Sequence, residues 1–159
     1  MDAPFSPQRS LYAYQRRIMP ALLGWGVLSI VIGLVWWRRD DPWWRAVGIQ
    51  WSAWGAIDSI IAAFGWRGAV RGATALATGT RTDAEHVKET RQFERVLWVN
   101  TGLDVCYVLG GALLIRANAA PVYADRRGHG AGIIAQGLFL LGFDLANALI
   151  VRARRLAGE

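Results

Sequence analysis

The sequence predicts an all-α fold, an integral membrane four-helix bundle with a cytoplasmic helical extension of the third span. The chain has 159 residues, enough for one domain, and 53% of them are hydrophobic. Its charges are clustered, and the clusters enclose four long, nearly uncharged stretches. Because a helix needs about 20 mainly apolar residues to cross a bilayer, we expect spans at about residues 19–37, 46–66, 96–115 and 131–151.

The first two spans are bracketed by arginines. Arg17 and Arg38 enclose 20 residues without a charge, and Arg45 and Arg67 enclose 21 in which Asp58 is the only charged residue. Between them, "RRDDPWWR" predicts a tight hairpin at the outer surface. Tryptophans cluster around that hairpin, as an aromatic belt does at the lipid headgroups.

The connection at 67–95 is predicted as a cytoplasmic loop in two parts. "RGAVRGATALATGT" is expected to be flexible, whereas "TDAE" has the capping-box spacing, with Thr82 as the cap and Glu85 three residues later. A helix starting there is expected to run unbroken into the third span. The outer connection, "RANAAPVYADRRGHG", is expected to be rich in turns.

The distribution of Lys and Arg predicts the orientation of the chain. With four spans, the two termini and the 67–95 segment share one side, which carries twelve of the 18 basic residues against six on the other. An excess of Lys and Arg marks the cytoplasmic side, so both termini are expected in the cytoplasm of a bacterial inner membrane. The net charge of +6 then reflects topology and attraction to anionic lipid, not nucleic-acid binding.

Three aspartates lie within the predicted spans at one depth. Asp58, Asp104 and Asp144 each fall eight or nine residues from the cytoplasmic end of a span, roughly 12–15 Å deep at helical rise. No Lys, Arg or His occurs at that level, so the available partners are neutral. The candidates for a ligand or proton site are therefore these three acids with Asn100, Asn147, Gln50, Gln136, Ser29 and Tyr107.

The energetic cost predicts that these acids face one another. An ionised Asp at mid-membrane costs about 2.5–3.5 kcal/mol on insertion scales, which is too much to leave three of them unmatched. Desolvation and like-charge neighbours both favour the neutral form. We therefore expect at least two of the three to be protonated and to donate hydrogen bonds inside the bundle.

Two segments resemble a family of small, uncharacterised four-pass bacterial membrane proteins. They are "NTGLDVCYVLGG" and "RRGHGAGIIAQGLFLLGFD", which follow the patterns N-x-G-L-D-V-x-Y and G-x-G-x-x-x-Q-G-x-F-L-L-x-F-D. The resemblance covers mainly the second half of the chain, with "QWSAWGAID" as a looser match. It implies a fold and a membrane location but no activity.

No catalytic set, metal site or cofactor is predicted. The motifs of intramembrane aspartyl proteases are missing, and His86 and His129 are both expected in loops or at the interface, which argues against haem or metal ligation. Two hypotheses stay open. One is a non-catalytic accessory or structural subunit, whose polar layer holds the helices together. The other is a proton-coupled carrier or ligand-binding protein that uses the aspartates. Beyond the lipid bilayer, the expected partners are another membrane protein or a second copy of the chain.

Overall fold

The computed structural model describes residues 10–157, and helices make up nearly all of that range. No strand occurs in it, so the prediction of an all-α fold with four long helices is confirmed. In chain order the elements are α1 (Leu11–Trp37), α2 (Pro42–Ala77), α3 (Asp83–Ala117), a short 3-10 helix (Pro121–Tyr123) and α4 (Ala124–Leu156).

Side-chain caps fix where the first three long helices begin. Ser10 accepts a hydrogen bond from the Ala13 amide before α1, and Asp41 accepts two from the first turn of α2. At α3 the Thr82 hydroxyl accepts from the Glu85 amide at 3.3 Å, and the Glu85 carboxylate accepts from the Thr82 amide at 2.8 Å. Both bonds of the predicted capping box are therefore present. From it, α3 runs without a break to Ala117.

The prediction of a loop across residues 67–95 is wrong in its first half. α2 continues to Ala77, and only a short turn separates it from α3. The sequence predicts a flexible segment there because it is rich in Ala and Gly. Ala is the strongest helix former, and here small side chains let α2 approach α1: Ala69 is fully buried, and a Cβ on Gly72 would collide with the Tyr12 ring.

The outer connection is also shorter than expected. α4 begins at Ala124, so most of the segment predicted to be rich in turns is helical, including His129. Glycines in this first part of α4 face α2 at close range. A Cβ on Gly128 would meet the Ala46 side chain at 2.9 Å, and one on Gly132 would meet Gln50 at 2.6 Å.

The helices form two hairpins that pack through α2 and α4. α1 packs on α2, α3 packs on α4, and α2 packs on α4, whereas the backbones of α2 and α3 hardly approach each other. A glycine pair allows close approach within each hairpin. A Cβ on Gly55 would lie 2.5 Å from the Gly26 carbonyl oxygen, and one on Gly111 would lie 2.7 Å from that of Gly130. Small residues at such contacts are typical of helices that pack in lipid.

Three of the helical segments are long and apolar enough to cross a membrane: Leu11–Trp37, Asp83–Ala117 and Pro121–Leu156. The second predicted span, in α2, is not among them. Its mean hydropathy is lowered by Gln50, Asp58 and several Gly, Ser and Trp residues, most of which pack inside the bundle. Large apolar side chains nevertheless cover its outward surface: Ile57, Ile60, Ile61 and Phe64.

Candidate functional site

A cavity of about 280 Å³ lies between the helices, and the three aspartates singled out from the sequence all line it. Asp58 comes from α2, Asp104 from α3 and Asp144 from α4, with exposed fractions of 2%, 3% and 8%. α1 contributes no acid, only apolar side chains such as Met19 and Leu22. Residues from three different helices therefore bring their carboxyls to one space. We call this space the acidic cavity.

The carboxyls of Asp104 and Asp144 lie close enough to interact directly, and the Asn100 side chain lies next to Asp144. Asn100 and Asp104 are one helical turn apart, which places them on the same face of α3. An ionised carboxylate can only accept hydrogen bonds. A bond between two carboxyls therefore requires a proton on one of them.

Hydrogen bonding is incomplete for two carboxyl oxygens of the residues that line the acidic cavity. Asp58 Oδ2 and Asp104 Oδ2 are buried and have no hydrogen-bond partner within residues 10–157. Asp58 is also close enough to Asp104 and Asp144 for their charges to interact. None of the residues described along the cavity wall is basic. Because a buried polar atom without a partner costs about 1–3 kcal/mol, the cavity is suited to a guest that supplies positive charge or donors.

The remaining wall of the acidic cavity is apolar and aromatic. Trp54 and Tyr107 meet edge to face with ring centroids 4.9 Å apart, and Phe93 and Phe143 also line the space. Of these four, only Tyr107 was among the sequence candidates. Trp54 stands four residues before Asp58, so the two share a helix face, and this spacing could have identified Trp54 from the sequence. Phe143 directly precedes Asp144, and adjacent residues do not share a helix face.

Ser29 and Gln136 do not line the acidic cavity but form a separate cluster between α1 and α4. The Gln136 amide donates to Ser29 Oγ at 3.1 Å, while its oxygen accepts from Trp25 Nε1 at 2.9 Å. Both predicted residues have an exposed fraction of 0%. Counting residues from the end of its predicted span placed Ser29 at the same level as the aspartates. That count does not determine the direction in which a side chain points from its helix.

Asn147 and Gln50 are held in two further places. The Tyr14 hydroxyl donates to Asn147 Oδ1, and the Asn147 amide donates to the Phe143 carbonyl at 2.6 Å. Gln50 pairs with His129 Nδ1 at 3.1 Å, close to the end of the bundle where α4 begins. The nine predicted residues are thus divided. Five meet at the acidic cavity, and four bond elsewhere between helices.

A polar cluster at the other end of the bundle joins the starts of α1 and α3, and sequence reasoning missed it. Tyr12 donates to Glu89 at 2.6 Å, and Arg81 donates to both Tyr12 and Glu89. His86 Nε2 accepts from the Leu11 amide at 3.0 Å. His86 was expected in a loop or at the interface, but it lies in the charged first part of α3, ahead of the apolar 96–115 segment. Burial lowers the pKa of its imidazole.

Comparison with protein families assigns the chain to a group. Residues 21–145 match the model of a family of unknown function (DUF6992), so the chain belongs to that family. The match includes the three cavity aspartates and the glycine pairs at which the helices of each hairpin approach closely. No curated protein and no solved structure matches the chain.

Proposed function

We propose that this protein is a small four-span membrane protein that binds a cationic ligand in its acidic cavity in exchange for protons. One observation carries the proposal: three buried aspartates from three helices line a single cavity, and two of their oxygens lack partners among residues 10–157. Polar groups needed only to hold helices together are satisfied by one another. Here two carboxyl oxygens of residues that line the cavity have no such partner among residues 10–157.

The arrangement favours exchange between protons and a cation. Burying several ionised carboxylates together is unfavourable, because each loses hydration and repels the others. The group reaches near-neutrality in two ways, by taking up protons or by taking up a positively charged guest. In the first state, the neighbouring carboxyls of Asp104 and Asp144 would share a proton. A guest that binds Asp58 and Asp104 would correspond to the second, with release of protons.

The placement in a bacterial inner membrane, with both termini in the cytoplasm, belongs to the same proposal. It is supported by the three apolar helices and by the twelve-to-six division of basic residues. For α2, support comes from its outward surface, where Ile57, Ile60 and Phe64 are about half or more exposed. Such side chains suit lipid, and the polar residues that lower its mean hydropathy point mainly inward.

The second candidate function is a non-catalytic accessory or structural subunit. A specific observation favours it: in the Trp25–Gln136–Ser29 cluster and the Tyr14–Asn147 bond, polar side chains of α1 and α4 are hydrogen-bonded to one another. These are the features expected of polar groups that hold membrane helices together. A membrane-protein partner or a second copy of this chain would then bind an outer surface, and the acids would need no ligand.

Proton release tests the proposed function. The purified protein in weakly buffered detergent is titrated with sodium, tetramethylammonium or benzyltrimethylammonium chloride while a pH-sensitive dye records released protons. We expect release with at least one of these cations, abolished by Asp58→Asn or Asp104→Asn. Asp125→Asn removes an exposed carboxylate of α4 outside the cavity and serves as the matched control. If no cation displaces protons from the wild type, the accessory role is the better account.

A further inference from the structure

We infer that the ligand is an amphiphilic organic cation that enters the acidic cavity sideways, between α2 and α3. This inference rests on the proposed function and names its substrate class and route. It comes from three features of the same cavity: where its wall is thin, what its wall is made of, and how its carboxyls are spaced.

The thin side of the wall is the seam between α2 and α3. The backbones of these two helices hardly approach each other, and side chains such as Trp54 and Tyr107 make the contact across the seam. The residues on either side of this seam line the cavity and are also exposed on the outer surface of the bundle. They are Ile57 and Ile61 from α2 with Val96, Leu103 and Tyr107 from α3, and their exposed fractions range from 37% to 53%. The acidic cavity therefore has an apolar rim on the surface that the proposed membrane placement turns toward lipid.

The spacing and chemistry of the wall favour an organic cation over a metal ion. Within residues 10–157, no three His, Cys, Asp or Glu side chains come close enough to hold a metal ion, the three aspartates included. Inorganic cations such as calcium need six or more oxygen ligands at short range. A quaternary ammonium has low charge density and is bound well by aromatic faces beside a carboxylate. Trp54, Tyr107 and Phe143 are the aromatic residues that line the cavity next to the acids.

The other neighbouring opening is unfavourable for a cation. A cleft of about 610 Å³ lies at the end of the bundle where α1 and α3 begin, and it shares Phe93 and Val96 with the acidic cavity. Arg71, Arg81 and Glu89 line this cleft, and one net positive charge remains because Arg81 and Glu89 form an ion pair. That charge disfavours a cation that approaches from water on that side. The rim residues of the seam carry no charge. An amphiphile dissolved in lipid could therefore insert its apolar part between them first.

The test compares cations that share one charge but differ in apolar surface. Binding of benzyltrimethylammonium, tetramethylammonium and sodium to the purified protein is measured by calorimetry. We expect benzyltrimethylammonium to bind at least about tenfold more tightly than tetramethylammonium, since it buries an additional aromatic ring. Leu103→Trp and, independently, Ile61→Trp overfill the rim and should weaken its binding by about tenfold or more. Leu109→Trp, on the same helix but outside the cavity and 58% exposed, is the matched control and should bind like the wild type.

The outcomes separate this inference from the proposed function. If sodium or tetramethylammonium binds as tightly as benzyltrimethylammonium and binding needs Asp58, the cavity is a cation site but the amphiphile is wrong. If both tryptophan variants bind benzyltrimethylammonium like the wild type, the route through the seam is wrong. If no cation binds in a manner that depends on the aspartates, the proposed function itself fails.

Discussion

Replacing Gln136 by leucine should destabilise the bundle while leaving the acidic cavity intact. Gln136 is completely buried, bridges α1 and α4 through Trp25 and Ser29, and does not line the cavity. Leucine matches its size but removes both bonds. Interhelical hydrogen bonds in membrane proteins contribute about 0.6 kcal/mol each on average, with a maximum near 1.7. Two lost bonds therefore lower the free energy of unfolding by about 1–3 kcal/mol.

The matched control is the same change at Gln50. That side chain is only half-buried, and its described partner is His129 at 3.1 Å. Gln50→Leu should therefore cost less than about 1 kcal/mol. Unfolding is followed by circular dichroism while a denaturing detergent is titrated into mild micelles. If Gln136→Leu is as stable as the wild type, or if it abolishes proton release while folded, the separation between packing cluster and binding cavity is refuted.

Three further predictions concern packing, pH and topology. Gly111→Val should lower the melting temperature, since a Cβ there lies 2.7 Å from the Gly130 carbonyl, whereas Gly102→Val, with nothing within 4 Å, should leave it almost unchanged. Burial lowers the pKa of His86 in the folded state, so the unfolded chain binds a proton first as pH falls. Stability should therefore decline below about pH 6.5, and His86→Gln should flatten that decline in unfolding curves at pH 5 and 7.5. A reporter fused after Thr80 should report a cytoplasmic location, and one fused after Ala124 a periplasmic location. The reverse pattern would overturn the proposed orientation of the chain in the membrane.

The helices and the start of α3 could be predicted because their signals are local. Long apolar stretches between arginines indicate helices of membrane-spanning length. The Thr82 and Glu85 pair is itself the structure that caps the helix. The helical end of α2 could not be predicted in the same way. One of its glycines, Gly72, packs against the ring of Tyr12, which lies 60 positions away in the sequence.

The level of the candidate site residues along their helices could be predicted, but the direction in which their side chains point could not. Counting residues from the ends of the apolar stretches placed the three aspartates at one level, and all three do line one cavity. The same counting placed Ser29 with them, yet it faces α4 and bonds to Gln136. The rotation of each helix about its axis depends on which residues its neighbours present. That information lies in the packing of glycine pairs such as Gly26 and Gly55.

Infrared absorption of protonated carboxyl groups tests the central claim most directly, because it observes the protons that the ligand is proposed to displace. The spectrum is recorded at neutral pH on protein in lipid nanodiscs, with and without benzyltrimethylammonium. We predict a protonated-carboxyl band that weakens in Asp104→Asn and Asp144→Asn, persists in Asp125→Asn, and decreases when the cation is added. A band that is absent at neutral pH, or that is unchanged by the cation and by both cavity substitutions, would contradict the account.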